Sequence, residues 1–348
     1  MKNRVLATAI AAVSATIAAP SVMAAGYKLN EQSAAGAGTA YAGRAAVVED
    51  ASVVYYNPAG MVKLKRAEIT VGGSIIDATG KFDLDSYTNG AKRSYTSLDN
   101  SPYSDGGDFI PTAAVPYAYY ARPINEKFAA GFGIFVPFGT SSNYKDNFVG
   151  GSFADETKLT SIDFQPAIAY RVNDEFSVGF GLDITYMKGL LSKQLDLVAY
   201  NEDDNAVNMS TGSPVIVSPD QWESYQGFEN HYEVEGDDWQ LGYNLSMMWD
   251  VTADITLGVT YRSEMKFKLK GDSEFKQKQG VLGSRYVAPN TQAIGPADAG
   301  YAAATQTAPD ATFPKQGSEV PITTPQSLTV SYAHQLTNEL QLVAGVTW

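Results

Sequence analysis

The sequence predicts an all-β transmembrane protein, an antiparallel β-barrel preceded by a segment that is not strand-like. Three observations carry that reading. Segments of about ten residues, the length a tilted strand needs to cross a bilayer, alternate apolar and polar side chains. The apolar set often begins or ends on an aromatic residue (Tyr170, Phe176, Tyr186, Trp239, Trp249, Tyr261, Tyr332, Trp348), as at the two interfaces of a membrane barrel. The connections are alternately short and long, the pattern of periplasmic turns and extracellular loops. A soluble sandwich alternates as well, but nothing in its architecture requires the short–long order.

The elements follow in chain order. Residues 1–24 read as a secretory signal, with Lys2 and Arg4 before an apolar stretch and Val22-Met23-Ala24 as the cleavage site. Residues 25–66 are dense in Gly and Ala and carry no strand period. Composition leaves two readings open for them, a plug folded inside the lumen or a periplasmic extension. From 67 onward nine strands are expected, at 67–77, 109–121, 127–138, 159–171, 176–187, 239–250, 255–262, 326–335 and 340–348. In 239–250, for example, Trp239, Leu241, Tyr243, Leu245, Met247 and Trp249 share one face and Gln240, Gly242, Asn244 and Ser246 the other. The short connections are 122–126, 172–175, 251–254 and 336–339; those between are long, at 78–108, 139–158, 192–236 and 271–325. Within the last, 287–325 is rich in Ala, Thr, Pro and Gly and is expected to be a loop.

Composition excludes several functions. There is no Cys among the 348 residues, so no disulfide scaffold, zinc-thiolate site or thiol nucleophile. A net charge of −13 argues against nucleic acid as a partner. The two imidazoles, His231 and His334, fall at opposite ends of the expected barrel, no nucleophile–base pair stands out, and no catalytic residue, cofactor or metal ligand set is assigned. The loop 198–236 holds eight acids and no Lys or Arg. It could hold divalent cations at a lipopolysaccharide surface, although a solvated acidic loop is the simpler reading. Arg262 has lumen parity and is a candidate for a ligand's carboxylate head group, with pairing to the inward Asp163 or Asp183 as its competing role.

Several runs resemble a known family. Gly26-Tyr27-Lys28-Leu29-Asn30-Glu31-Gln32-Ser33, Gly38-Thr39-Ala40-Tyr41-Ala42-Gly43, Asp50-Ala51-Ser52 and Tyr56-Asn57-Pro58-Ala59-Gly60 are similar to the N-terminus of the FadL/TodX outer-membrane channels. Gly131-Phe132-Gly133-Ile134-Phe135-Val136-Pro137-Phe138-Gly139 resembles that family's third strand. The resemblance implies a fourteen-stranded monomeric barrel in the outer membrane of a Gram-negative bacterium, with an N-terminal hatch over 25–66. It implies diffusive uptake of long-chain fatty acids or aromatic hydrocarbons, with lateral release beside a kink in the third strand. On this reading Tyr27 reaches the ligand pocket, Asn57, Pro58, Ala59 and Gly60 form the plug motif, and Pro137, Phe138 and Gly139 make the kink. Proline removes a ladder donor and glycine weakens pairing, which suits a local opening; the alternative is that Pro137 merely ends the strand. A surface receptor or adhesin barrel that conducts nothing is the competing function. Nine strands is an odd count, whereas bacterial barrels close on an even one. The 348 residues are therefore expected to be an open barrel that lacks further C-terminal strands.

Overall fold

The computed structural model describes residues 26–83, 104–145, 148–151, 153–195, 230–277 and 315–348, with short pieces at 87–88, 94–95, 198–200, 206–208 and 214–215. The signal segment, most of the acidic loop and most of 287–325 lie outside the described residues.

The main sheet is antiparallel and twelve-stranded. Its strands are β1 (Glu68–Ile76), β2 (Ala113–Pro123), β3 (Phe128–Phe135), β4 (Gly139–Asn143), β5 (Glu156–Arg171) and β6 (Phe176–Leu195). They continue with β7 (Asn230–Thr252), β8 (Ile255–Arg262), β9 (Met265–Gln277), β10 (Gln316–Thr324), β11 (Ser327–Gln335) and β12 (Gln341–Thr347). Neighbours run β1-β2-β3-β5-β6-β7-β8-β11-β12, with β4 on β5, β9 on β7 and β10 on β9. The nine strands of that path are the nine alternating segments of the sequence. The other three continue strand lines across an interruption: β4 extends β3, β9 extends β8, and β10 extends β11. The sheet is open, since β1 pairs with β2 alone and β12 with β11 alone.

The alternation sets the two faces. Leu241 is 66% exposed and Trp249 46% on the outer face, while Asp163, Gln165, Asp183, Thr185 and Asn244 on the inner face are fully buried. Apolar outside and polar inside is what a lipid-facing sheet around a lumen requires.

Two expectations need correction. Residues 316–324 form β10 rather than part of a loop, and 265–277 form β9, so the last long connection is shorter than the sequence suggested. Strands β6 and β7 also run past their expected ends. The 23 residues of β7 would extend about 75 Å, well over twice what a membrane crossing needs. In β9, which pairs with the β7 extension, the pattern is the opposite. Met265, Phe267 and Leu269 point inward and are buried, and Lys266, Lys268 and Lys270 are exposed. The phase changes at a bulge: seven residues separate Arg262 from Lys270, against six between their partners Asn244 and Asp237, and Arg262 and Ser263 are both buried.

Residues 26–66 pack on the inner face. They contain two helical turns, α1 (Ala34–Ala37) and α2 (Val53–Tyr56), and a 3-10 helix, η1 (Pro58–Lys63). Ser33 caps α1, its hydroxyl accepting from the Gly36 amide. Proline at the first position of η1 sacrifices no helical hydrogen bond. Val53, Val54, Tyr55, Met61 and Val62 form one apolar core with Tyr117, Tyr119, Ala129, Phe135 and Ala167 of the sheet. Glycine makes the approach possible. A Cβ on Gly258 would sit 1.8 Å from the Ala45 carbonyl oxygen, and one on Gly179 2.3 Å from the Ala59 nitrogen.

Candidate functional site

The third strand line breaks at Val136-Pro137-Phe138. β3 pairs with both β2 and β5, whereas β4 pairs with β5 alone, so past Phe135 the line has lost its β2 neighbour. Pro137 does not end the line; pairing resumes at Gly139. The β5 edge stays joined, because the Phe138 amide donates to the Ser161 hydroxyl at 3.0 Å and the Ser161 amide donates to the Phe138 carbonyl at 3.1 Å. The abandoned edge is taken by the N-terminal segment. The Leu29 amide donates to the Pro137 carbonyl at 2.9 Å, the Gly139 amide to the Tyr27 carbonyl at 2.8 Å, and the Gln32 side-chain amide to the Val136 carbonyl at 2.6 Å.

Behind this junction lies an apolar cluster. Phe138, Leu159, Met187, Met265, Phe267 and Leu269 are buried together, and Tyr27, Val320 and Ile322 pack against them. The rings of Tyr27 and Phe138 lie 5.7 Å apart, and the Tyr27 hydroxyl donates to the Thr323 carbonyl at 2.7 Å. Phe138 sits in the break between β3 and β4, Leu159 and Met187 come from β5 and β6, and Met265, Phe267 and Leu269 are the inward set of β9.

A polar layer adjoins the cluster on the side of the short turns. Thr185 donates to Asp163 at 2.5 Å and its hydroxyl touches the Met265 sulfur at 3.5 Å, so the two layers meet. Arg262 forms an ion pair with Asp183 at 2.7 Å and donates to the Gln165 side chain at 3.2 Å. Its guanidinium lies over the rings of Tyr55 and Phe135, 4.9 and 5.6 Å from their centroids. Gln165 donates to the Val54 carbonyl at 3.0 Å and Thr260 to the Tyr56 carbonyl at 2.9 Å, tying α2 to the wall. Burial pushes the Tyr55 and Tyr56 hydroxyls above the usual tyrosine range, so both remain neutral.

The Asn57-Pro58-Ala59-Gly60 run crosses the inner face at the next level. The Asn57 amide donates to the carbonyls of Ala45 at 2.5 Å and Met247 at 3.0 Å. The Ala59 amide donates to Ser246 at 3.0 Å, and Ser177 donates back to the Ala59 carbonyl at 2.9 Å. Asn57 and Ala59 are fully buried, and a Cβ on Gly60 would meet Met248 at 2.9 Å.

The structure thus brings Tyr27 together with Pro137, Phe138 and Gly139, and places Asn57 to Gly60 and Arg262 in layers below. Sequence reasoning missed two features. One is a cavity of about 300 Å³ between the N-terminal segment and β8, β11 and β12, lined by Lys28, Arg44, Tyr56, Arg262, Ser327 and Thr329 among others. The other is a stack of Phe109, Tyr144 and Phe148 with Phe82 against its end, in which successive rings lie 4.6, 4.2 and 5.3 Å apart, joining the connections that follow β1 and β4. Neither has a local signal, because each is assembled from residues distant in sequence. Among the described residues no cluster of His, Asp and Glu suits a metal ion.

Comparison with known proteins places these features in a family. Residues 15–348 match the family described as outer membrane protein transport protein (OMPP1/FadL/TodX). Outer membrane protein P1 of Haemophilus influenzae is 32% identical over 256 residues, which is 72% of this chain and 55% of that protein. A long-chain fatty acid transport protein of Escherichia coli O6:H1 is 30% identical over 75% of this chain and 55% of its own length. The chain thus spans little more than half the length of these curated relatives. The crystal structure of a Pseudomonas aeruginosa FadL homologue superposes with a TM-score of 0.67 at 25% identity, covering 93% of this chain and 69% of that one. The apolar-out sheet with its buried polar inner layer is therefore an outer-membrane β-barrel wall, and the chain belongs to the OMPP1/FadL/TodX family.

Proposed function

We propose that this protein carries hydrophobic compounds, long-chain fatty acids or aromatic hydrocarbons, across the outer membrane by diffusion. The observation that carries the reading is the junction at the third strand. An apolar cluster inside the sheet is closed on one side by residues 27–29, and these same residues hydrogen-bond the edge that β2 has left. A ligand that displaces Tyr27 from the cluster also pulls at the bonds to Pro137 and Gly139, which would uncover an opening beside Phe138 toward lipid. On this reading 25–66 is a hatch, Asn57 to Gly60 anchor it across the lumen, and lateral release passes Pro137, Phe138 and Gly139. The ring stack of Phe82, Phe109, Tyr144 and Phe148 offers an apolar first contact on the outer side. A relative named for long-chain fatty acid transport supports the substrate class.

Uptake of labelled oleate and of toluene, in cells with and without the protein, tests the proposal. Faster entry of either compound is expected. Equal rates for both would overturn it. Pro137→Val restores a backbone donor to the broken edge and is expected to slow entry while leaving the amount of assembled protein unchanged. Unaltered entry would remove the lateral path.

A further inference from the structure

The cavity of about 300 Å³ has an unusual balance of charge. Its lining includes three cations, Lys28, Arg44 and Arg262, and no carboxylate. Two of the three are already neutralised. Arg44 pairs with Glu49 at 2.7 Å and Arg262 with Asp183 at 2.7 Å, in both cases with carboxylates outside the lining. Lys28 is not. Among the described residues, the one partner its ammonium meets is the Ser327 hydroxyl, at 3.4 Å. Burial, and then the charge of Arg262, lower its pKa to about 8. A half-buried ammonium that faces another cation and has no counter-ion among the described residues favours an anion beside it.

The position of Lys28 narrows which anion. It directly follows Tyr27, and the two side chains reach different parts of the interior. Tyr27 enters the apolar cluster and reaches Thr323, whereas Lys28 enters the cavity and reaches Ser327. Those contacts are four residues apart along one strand line, about 13 Å at the usual rise per residue. A ligand that sets an anionic group at Lys28 and an apolar body against Phe138 and Ile322 must therefore be an elongated amphiphile, longer than a single aromatic ring.

We propose that Lys28, rather than the charge-compensated Arg262, takes the head group, and that the cavity accepts a carboxylate, so that this chain selects long-chain carboxylates over neutral hydrophobic compounds. This rests on the transport reading above. Arg262 then positions the α2 carbonyls and supplies background potential without contacting ligand.

The test is binding by the purified full-length protein, using oleate and its uncharged analogue methyl oleate with wild type, Lys28→Met and Lys28→Arg. Lys28→Met is expected to raise the Kd for oleate about tenfold, equivalent to about 1.4 kcal/mol, and to leave that for methyl oleate within about twofold. Lys28→Arg should retain oleate. Oleate binding by the wild type should also weaken as pH rises through 8, because the ammonium loses its proton there; burial holds the hydroxyls of Tyr41, Tyr55 and Tyr56, which also face the cavity, above the usual tyrosine range, so they stay neutral, and Arg44 and Arg262 are held in ion pairs with Glu49 and Asp183. An equal loss for both ligands in Lys28→Met would make Lys28 a structural residue and overturn the proposal, as would unchanged oleate binding. Wild type that binds neither ligand would overturn the transport reading itself, a result distinguishable from the other two.

Discussion

β8 and β9 are two lengths of one strand line, divided by Ser263 and Glu264, and they turn opposite chemistry toward the same interior. In β8 the inward residues are Gly258, Thr260 and Arg262 and the outward ones Leu257, Val259 and Tyr261. In β9 the inward residues are Met265, Phe267 and Leu269 and the outward ones Lys266, Lys268 and Lys270. The companion line changes phase at the same level, between Thr324 of β10 and Ser327 of β11. A sheet in water hides its apolar face inside, and one in lipid shows it outside. The inversion therefore marks where the wall leaves the bilayer. It also explains why apolar side chains sit directly beside a polar layer: Met265, Phe267 and Leu269 are the inner face of the part of this line standing in water, and the polar layer is the inner face of the part standing in lipid.

The sharpest way to break this contrast is to remove the phase change. Deleting Ser263 takes out the extra residue, and a one-residue slip exchanges the two faces of everything beyond it. Met265, Phe267 and Leu269 would turn outward at about 1.5–3 kcal/mol each. The β9–β10 hairpin should detach from β7 and become cleavable by protease, while β8 remains protected. Retained protection of 265–277 and 316–324 would show that the bulge does not set the register.

The second effect lies inside the lipid zone. Arg262→Met leaves Asp183 buried with no counter-charge, a loss expected to cost about 3–5 kcal/mol. The guanidinium chloride midpoint should fall accordingly, and pairing the change with Asp183→Leu should recover much of the difference. If the single variant is as stable as the double, the inner polar layer is wetter than its burial indicates.

The same contrast decides how much the sequence revealed. All nine strands of the sheet path were legible because, in the lipid zone, one parity is apolar and long enough to cross. The inward set containing Asp163, Asp183 and Arg262 followed from parity alone. β10 was missed because Pro321 and Pro325 read as loop residues, and β9 because its alternating run follows Arg262 without a turn and leads into the expected long connection. The Lys28 cavity was invisible for another reason: its partner Ser327 is 299 residues away, and alternation says nothing about which distant strand the N-terminal segment will meet. The break at Pro137 was half legible. Proline predicted lost pairing, but only the register showed that the line resumes and which edge exchanges β2 for the N-terminal segment.

The mildest test of the contrast is a pair of outward substitutions, one on each side of Ser263. Val259→Arg places a cation on the lipid face near mid-membrane and is expected to cost about 2–4 kcal/mol. Lys268→Leu makes the opposite exchange on β9. The Lys268 side chain is 66% exposed and its ion pair with Glu319 spans 3.5 Å, so its loss in water should change stability by no more than about 0.5 kcal/mol. Were β9 in lipid as β8 is, the same exchange would remove an unfavourable lipid-facing cation and raise stability by about as much as Val259→Arg lowers it. The sign and size of the Lys268→Leu shift, read from the unfolding midpoint in one lipid system, thus report which solvent touches β9. A near-zero value fits the boundary at Ser263, and a gain of several kcal/mol would move it beyond β9.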